Sequence, residues 1–323
     1  MRIRSEIIGC GSYLPGEPIS NKILSEKIDT SDEWIASRTG IKKRHLVNKN
    51  ELTSDLAKIA SLNAIRSANI EINEIDSIIL ATTTPDETFP ATATRLQFQL
   101  GLKRGFAFDV QAVCSGFVYA LHLADSMIKS GQVKTCLVVG AEVFSKILDW
   151  KDRSTSVLFG DGAGAVVIKS KEISSPEDTG ILSSVLHSDG SMHDALYVDG
   201  GVGLNQKSGF LRMEGKEVFK HAVKNMSDVA LEVCELSKVN IDQVDWLVPH
   251  QANQRILTSI AKKLNFSLNK VISTVDMHAN TSAASIPLAL DVALKDGRIK
   301  KGDLLLLQAM GGGFTWGATL LKW

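Results

Sequence analysis

The chain is poor in the residues that would tie it to an oxidising compartment, a metal or a membrane. Its 323 residues include four cysteines, Cys10, Cys114, Cys136 and Cys234, with no C-x-x-C pair and no zinc-ligand spacing. Neither disulfides nor a structural metal are expected, and the pattern suits a reduced cytosolic protein. Net charge is lacking too, since 36 Lys plus Arg balance 36 Asp plus Glu. Without a global field there is no case for nucleic acid, and a charged partner must meet a local patch. No apolar run approaches membrane-spanning length, and the opening segment carries Glu6 without an extended apolar stretch. The sequence therefore reads as neither embedded nor secreted, and the cytoplasm is the expected location. Hydrophobic residues at 44% and charged residues at 22% are enough for one large core or for two halves of about 160 residues.

Hydrophobic periodicity alternates between two and 3.6. Residues 3–10 read as a strand and residues 21–28 as a helix with Asn21 at its N-cap. Residues 54–68 and 91–100 have helical spacing. A buried strand following Asp76 and the runs 106–110 and 135–143 read as strands. Strands alternating with helices imply parallel or mixed sheets covered on both faces. Gly160-Asp-Gly-Ala-Gly164 runs into a strand instead of a helix N-terminus, so a phosphate loop is discounted.

After a charged connector at residues 171–180, the pattern repeats. Ile72-x-x-Ile75-Asp76 is echoed by Ile241-x-x-Val244-Asp245, 169 positions later, and Lys129-Ser-Gly131 by Lys295-Asp-Gly297, 166 positions later. Two echoes at nearly one offset predict a duplicated βα unit, divided into residues 1–170 and 171–323. Carrying 166 onward from Cys114 reaches Asn280, which predicts that these two residues occupy matching strand-to-helix turns and face one pocket.

Cys114 stands between an apolar strand and a helix in which Phe117, Leu121 and Ala124 share a face. A helix N-terminus favours an anion, so a stabilised thiolate nucleophile is expected there, whereas the other three cysteines read as core hydrophobes. His250 follows a strand, in the position where ligands of α/β sheets bind. His45, His122, His187, His193 and His221 read as structural. Trp34 and Arg38 lie one helical turn apart, a pairing that suits an adenine beside a phosphate, although taken alone a packed indole beside a solvated guanidinium is the commoner arrangement. Gly311, Gly312 and Gly313 allow close backbone approach, and their amides with that of Cys114 suit an oxyanion hole.

Gln111-Ala-Val-Cys-Ser-Gly-Phe117, Phe159-Gly-Asp-Gly-Ala-Gly164, Met213-Glu-Gly-Lys-Glu-Val-Phe219, His250-Gln-Ala-Asn253, Asn280-Thr-Ser-Ala-Ala-Ser285 and Gly311-Gly-Gly-Phe-Thr-Trp-Gly317 resemble the β-ketoacyl-acyl carrier protein synthase III branch of the thiolase-like condensing enzymes. The resemblance covers essentially the whole chain. It implies an α/β thiolase-like duplicated fold, two pseudo-symmetric halves layered α/β/α/β/α, and a homodimer. By the same resemblance Cys114 carries an acyl group, His250 and Asn280 serve the second thioester, and Gly312 with Cys114 forms the oxyanion hole. Trp34, Arg38, Arg153, Gly215 and Asn253 contact coenzyme A, and Phe89 and Met310 belong to the acyl pocket, Phe89 reaching toward that of the partner. Met310 departs from the Phe that many members place there. The implied reaction joins a short acyl-CoA to malonyl-acyl carrier protein, with no cofactor beyond the coenzyme A thioester. Lys220, Arg255, Lys262 and Lys263 are expected to dock the acidic carrier protein.

Other readings share some of these residues. Cys, His and Asn in that order match papain-like hydrolases. Thiolases use a second cysteine near the C-terminus, where this chain's last is Cys234, and synthases that elongate long chains use two histidines. An acyltransferase, a condensing enzyme of specialised metabolism and a non-catalytic acyl-binding relative remain open.

Overall fold

Apolar strands with no polar face need helices on both sides, and the fold provides them. A computed structural model describes residues 2–175 and 177–323. Its first sheet has the order Arg2–Tyr13, Gly162–Ile173, Thr135–Glu142, Ser77–Ala81, Phe106–Val110. The first two neighbouring pairs are antiparallel and the last two parallel. The second sheet runs Gly180–Ser188, Thr315–Lys322, Leu304–Gly311, Trp246–Pro249, antiparallel twice and then parallel. Both sheets thus repeat one pattern of pairings. Where a fifth strand would follow, the second sheet keeps a single parallel bridge between Leu247 and Val271.

The period of two assigns each strand's faces. Ile79 and Ala81 of the first sheet and Leu305, Leu307 and Ala309 of the second enclose the helices Gly116–Lys129 and Ser285–Lys295 in a central core. Ile78 and Leu80 point the other way, onto the helices Thr53–Ala68 and Thr92–Gln99. Leu306 and Met310 face the helices Gly215–Leu236 and Gln254–Lys263. The layers are therefore α/β/α/β/α, as the resemblance implied, and each fully buried leucine contributes about 1.5–3 kcal/mol. Among the described residues no helix is long and apolar enough to cross a membrane.

The two offsets have a structural cause. The 3-10 turns Val113–Ser115 and Ser282–Ala284 stand 169 positions apart, and their first residues share a left-handed φ of 49° and 50°. The helices that follow have 14 and 11 residues, so Gly131 and Gly297 beyond them stand only 166 apart. The residue matching Cys114 is consequently Ala283, not Asn280, and Asn280 matches Gln111. A smaller correction concerns the first helix, Asn21–Ser25, which is capped by Ser20 through Ile23 N–H. Asn21 is instead buried, its Oδ1 accepting from Arg44 Nη2 at 2.7 Å.

Candidate active site

The chain reaches Cys114 through Val113, whose φ of 49° is unusual for a β-branched residue and marks local strain. The turn is pinned from two sides. Ser115 Oγ donates to Ala112 O at 2.7 Å and lies 2.8 Å from Thr315 Oγ1 on the last strand. Gly311 comes so close that a Cβ there would sit 2.6 Å from Cys114 N, and Gly312 lies against Val113 and Leu196. Cys114 is itself buried, at 5% exposure.

That burial corrects the expectation of a resting thiolate. Loss of solvent pushes the Cys114 thiol up from 9 to about 12; the Ser282 hydroxyl opposes the rise, nearby Glu142 adds to it, and the residue's own amide opposes it. A helix N-terminus offers an anion at most about 2 kcal/mol. The rise to about 12 corresponds to about 4 kcal/mol at 1.36 kcal/mol per pKa unit. Desolvation wins, and Cys114 rests as a thiol.

His250 leaves the strand Trp246–Pro249 with 3% exposure, and burial pushes it down to about 3, so it stays neutral. Its tautomer follows from its partner. Ser285 Oγ accepts from Gln251 N–H at 3.3 Å and lies 2.7 Å from His250 Nδ1. Because its oxygen already accepts from Gln251 N–H, the Ser285 hydroxyl is assigned as the donor to Nδ1, an assignment that puts the His250 proton on Nε2. Ser285, the first residue of its helix, was missed as a site residue because a serine there reads as an ordinary helix start. Asn280 Oδ1 accepts from Ser282 N–H at 2.9 Å, so its Nδ2 is the group left to donate into the cavity. The preceding Ala279 holds φ 57° and ψ −158°, a conformation normally reserved for glycine.

Cys114, His250, Asn280 and Met310 line one cavity of about 690 Å³. Trp34, Arg38, Gly215, Asn253 and Arg255 line it as well. Gly40, the left-handed cap of the Trp34 helix, lies where a Cβ would come within 2.5 Å of Gln254 Cβ, so the two helices at the mouth meet closely. Arg153 is not among the lining residues; its guanidinium lies 5.3 Å from the Trp34 ring centre, which Arg38 approaches to 4.7 Å. Asn253 also caps the helix Gln254–Lys263 through Ile256 N–H, a contact worth about 1 kcal/mol.

A second cavity of about 250 Å³ continues behind Cys114, lined by Val113, Phe144, Ile147, Leu196 and Leu211 among others. Neither Met310 nor Phe89 lines it, and the expectation for Phe89 concerned the pocket of a partner. Met310 belongs to the larger cavity, with its sulfur 3.8 Å from Asn225 Nδ2, and Phe89 is 81% exposed. The lining of this second cavity comes from six separate segments, at residues 83, 111–114, 144–147, 159, 193–200 and 211, so no local motif announces it. The basic residues Arg255, Lys262 and Lys263 are exposed on one helix and Lys220 on its neighbour. Part of this charge is already answered, because Lys263 and Lys224 share Asp228 at 2.9 and 3.0 Å and Lys220 faces Glu217 at 3.9 Å.

Family models described as 3-oxoacyl-[acyl-carrier-protein] synthase III match residues 108–190, and their C-terminal counterpart matches residues 234–323. The chain is 59% identical to the β-ketoacyl-[acyl-carrier-protein] synthase III of Paramagnetospirillum magneticum and 58% identical to that of Rhodospirillum centenum, over the full length of each protein. The crystal structure of 3-oxoacyl-[acyl-carrier-protein] synthase III from Aquifex aeolicus superposes with a TM-score of 0.93 at 48% identity, covering 99% of this chain and 100% of that one. A fold doubled about one cavity, a buried cysteine between two neutral donors, and full-length identity of this degree lead to one conclusion: the chain belongs to the β-ketoacyl-acyl carrier protein synthase III family.

Proposed function

We propose that this protein condenses a short acyl-CoA with malonyl-acyl carrier protein, releasing carbon dioxide and giving a 3-oxoacyl-acyl carrier protein that starts fatty acid synthesis. The observation that carries this reading is the pairing of a buried thiol with two neutral hydrogen-bond donors, His250 Nε2–H and Asn280 Nδ2–H, in one cavity.

In the first half-reaction the Cys114 sulfur attacks the thioester carbonyl, the amides of Cys114 and Gly312 take the oxyanion, and coenzyme A leaves. The acyl chain enters the cavity of about 250 Å³, a size suited to a short chain. Trp34, Arg38 and Arg153 hold the nucleotide end, and Gly215 and Asn253 line the path of the pantetheine arm. In the second, malonyl thioester loses carbon dioxide and its enolate oxygen lies between His250 and Asn280. Neutral donors serve here because a proton delivered to the carbanion would end the reaction. The resulting carbon nucleophile attacks the acyl group and displaces Cys114.

A papain-like hydrolase needs a histidine that charges and an asparagine that orients it. His250 is held near 3 and is bonded to Ser285 instead. The carrier protein docks, in this reading, on the face bearing Arg255, Lys262, Lys263 and Lys220. A second copy covers the unpaired edge strand Phe106–Val110, beside which Phe98 and Phe89 are exposed. The protein works in the cytoplasm without metal or further cofactor. Mass spectrometry after mixing with acetyl-CoA tests the first step: an acetyl adduct on Cys114 is expected, and Cys114→Ser should carry none. An unchanged adduct in the variant contradicts the assignment.

A further inference from the structure

A resting thiol has to lose its proton, and His250, neutral down to about 3, is a poor base for it. One buried carboxylate lies nearer than its structural duties require. Glu142 ends the strand Thr135–Glu142 with 0% exposure. It accepts from Thr84 Oγ1 at 2.7 Å, from Thr82 Oγ1 at 3.3 Å and from Thr83 N–H at 3.1 and 3.2 Å. Those donors need only a neutral acceptor, such as an amide. The turn Ser282–Ala284 packs against both the strand that ends in Glu142 and the turn that holds Cys114, and Ser282 is also at 0% exposure. Its N–H is committed to Asn280, while its hydroxyl makes no hydrogen bond of full geometry among the described residues. The same hydroxyl acts on both neighbours, favouring the anion at Cys114 and at Glu142.

We infer that Glu142, acting through the Ser282 hydroxyl, receives the Cys114 proton during acylation and keeps it until Cys114 is released. Glu142 is thus a positioning and proton-holding residue, and Ser282 is the hydroxyl through which it acts. As the thiol S–H bond breaks, its proton passes to Ser282 Oγ and the Ser282 proton passes to the Glu142 carboxylate. The freed sulfur pair forms the bond to the acyl carbon. The oxyanion then collapses, the carbon–sulfur bond to coenzyme A breaks, and the departing thiolate takes a proton from solvent. When the enolate later displaces Cys114, the emerging thiolate recovers the stored proton by the same route, so the cycle consumes one solvent proton overall.

Burial pushes Glu142 up to about 7, against the pull of its threonine and serine partners. The titratable group facing it across the Ser282 turn is Cys114. Its strand partner Gly162 follows Asp161, whose carboxylate is turned away to Val47 N–H and Ser145 N–H at 2.8 and 2.9 Å. The loop at Thr82, Thr83 and Thr84 contributes no charge.

The inference rests on Cys114 being the acyl acceptor, and single-turnover acylation by acetyl-CoA, followed by mass spectrometry from pH 5.5 to 9, separates the two claims. Wild type is expected to acylate faster as pH rises, levelling off above an inflection near 7. Glu142→Gln should lose that inflection and about 10²-fold or more of the plateau rate, the usual scale of proton-transfer catalysis, and Glu142→Asp should restore the inflection in part. Ser282→Ala should lose rate to a similar degree, and it decides the matter alone should Glu142→Gln not fold. A wild-type profile in Glu142→Gln, or a wild-type rate in Ser282→Ala, overturns the inference. Absence of the adduct in wild type would instead overturn the function itself.

Discussion

The turns at Cys114 and at Ser282 are one piece of backbone used twice, with the same left-handed first residue, the same 3-10 turn and the same run into a central helix. They differ in what stands behind them. Gly311 approaches the first turn so closely that a side chain would meet the Cys114 amide, whereas the second is faced by Glu142, 169 positions earlier in the repeat. Duplication thus supplied two equal frames, and a glycine in one and a carboxylate in the other gave them different chemistry. The first frame holds the sulfur and its amides. The second brings Asn280 into the cavity that Cys114 and His250 also line.

The largest break in this comparison comes from putting a side chain behind the first turn. Gly311→Ala would place Cβ 2.6 Å from Cys114 N and 2.9 Å from Ala112 O, and displacing an oxyanion donor costs about 10²-fold or more. Acyl-enzyme formation should fall by that factor in a stopped single-turnover assay. Gly140→Ala is the counterpart at the second turn, where Cβ would lie 2.3 Å from Ala283 O. Overpacking of this kind costs about 1–3 kcal/mol, measurable as a lowered Tm.

A pH series sharpens the same contrast. Glu142 is raised in the folded protein, so the native state holds a proton that the unfolded chain gives up, and stability falls as pH rises from about 4.5 to about 7. His250 is depressed, so its contribution is complete above about 6.5 and declines as pH falls below that value. Glu142→Gln should therefore gain stability relative to wild type between pH 4.5 and 7, by about 3 kcal/mol at 1.36 kcal/mol per pKa unit. Equal pH dependence in denaturant titrations of the two proteins would contradict the burial of a titrating carboxyl.

The smallest effect lies outside the cavity, farther along the helix Gln254–Lys263. Lys262→Glu should raise KM for malonyl-acyl carrier protein several-fold at low salt while barely changing the acyl-CoA step. Lys263→Glu should do less, because Lys263 is already paired with Asp228. Equal losses for both substrates in steady-state kinetics would move the docking face elsewhere.

Much of this was legible in the chain. Periodicity gave sheets covered on both faces, the resemblance gave the five layers, the echoes revealed the duplication, and Cys114 and His250 stood out at strand ends while Asn280 was reached through the offset. Three things were hidden for physical reasons. A helix three residues shorter in the second half shifts the register, so projecting 166 positions matched Cys114 to the wrong residue of the right turn. The state of the thiol depends on burial, which a helix-start motif does not carry. The second cavity is assembled from segments that include Val113, Phe144, Leu196 and Leu211 and meet only in the folded molecule, and Ser285 declares itself only through the nitrogen it faces.

The division of labour between Cys114 and the pair His250 and Asn280 is tested most directly by His250→Ala and Asn280→Ala, with both half-reactions followed on the same preparations. Acylation of Cys114 by acetyl-CoA is read by mass, and carbon dioxide release from malonyl-acyl carrier protein is read on the acylated enzyme. Acylation should persist while carbon dioxide release falls by about 10²-fold or more, the scale of a lost oxyanion donor. Loss of acylation with decarboxylation intact would contradict the account.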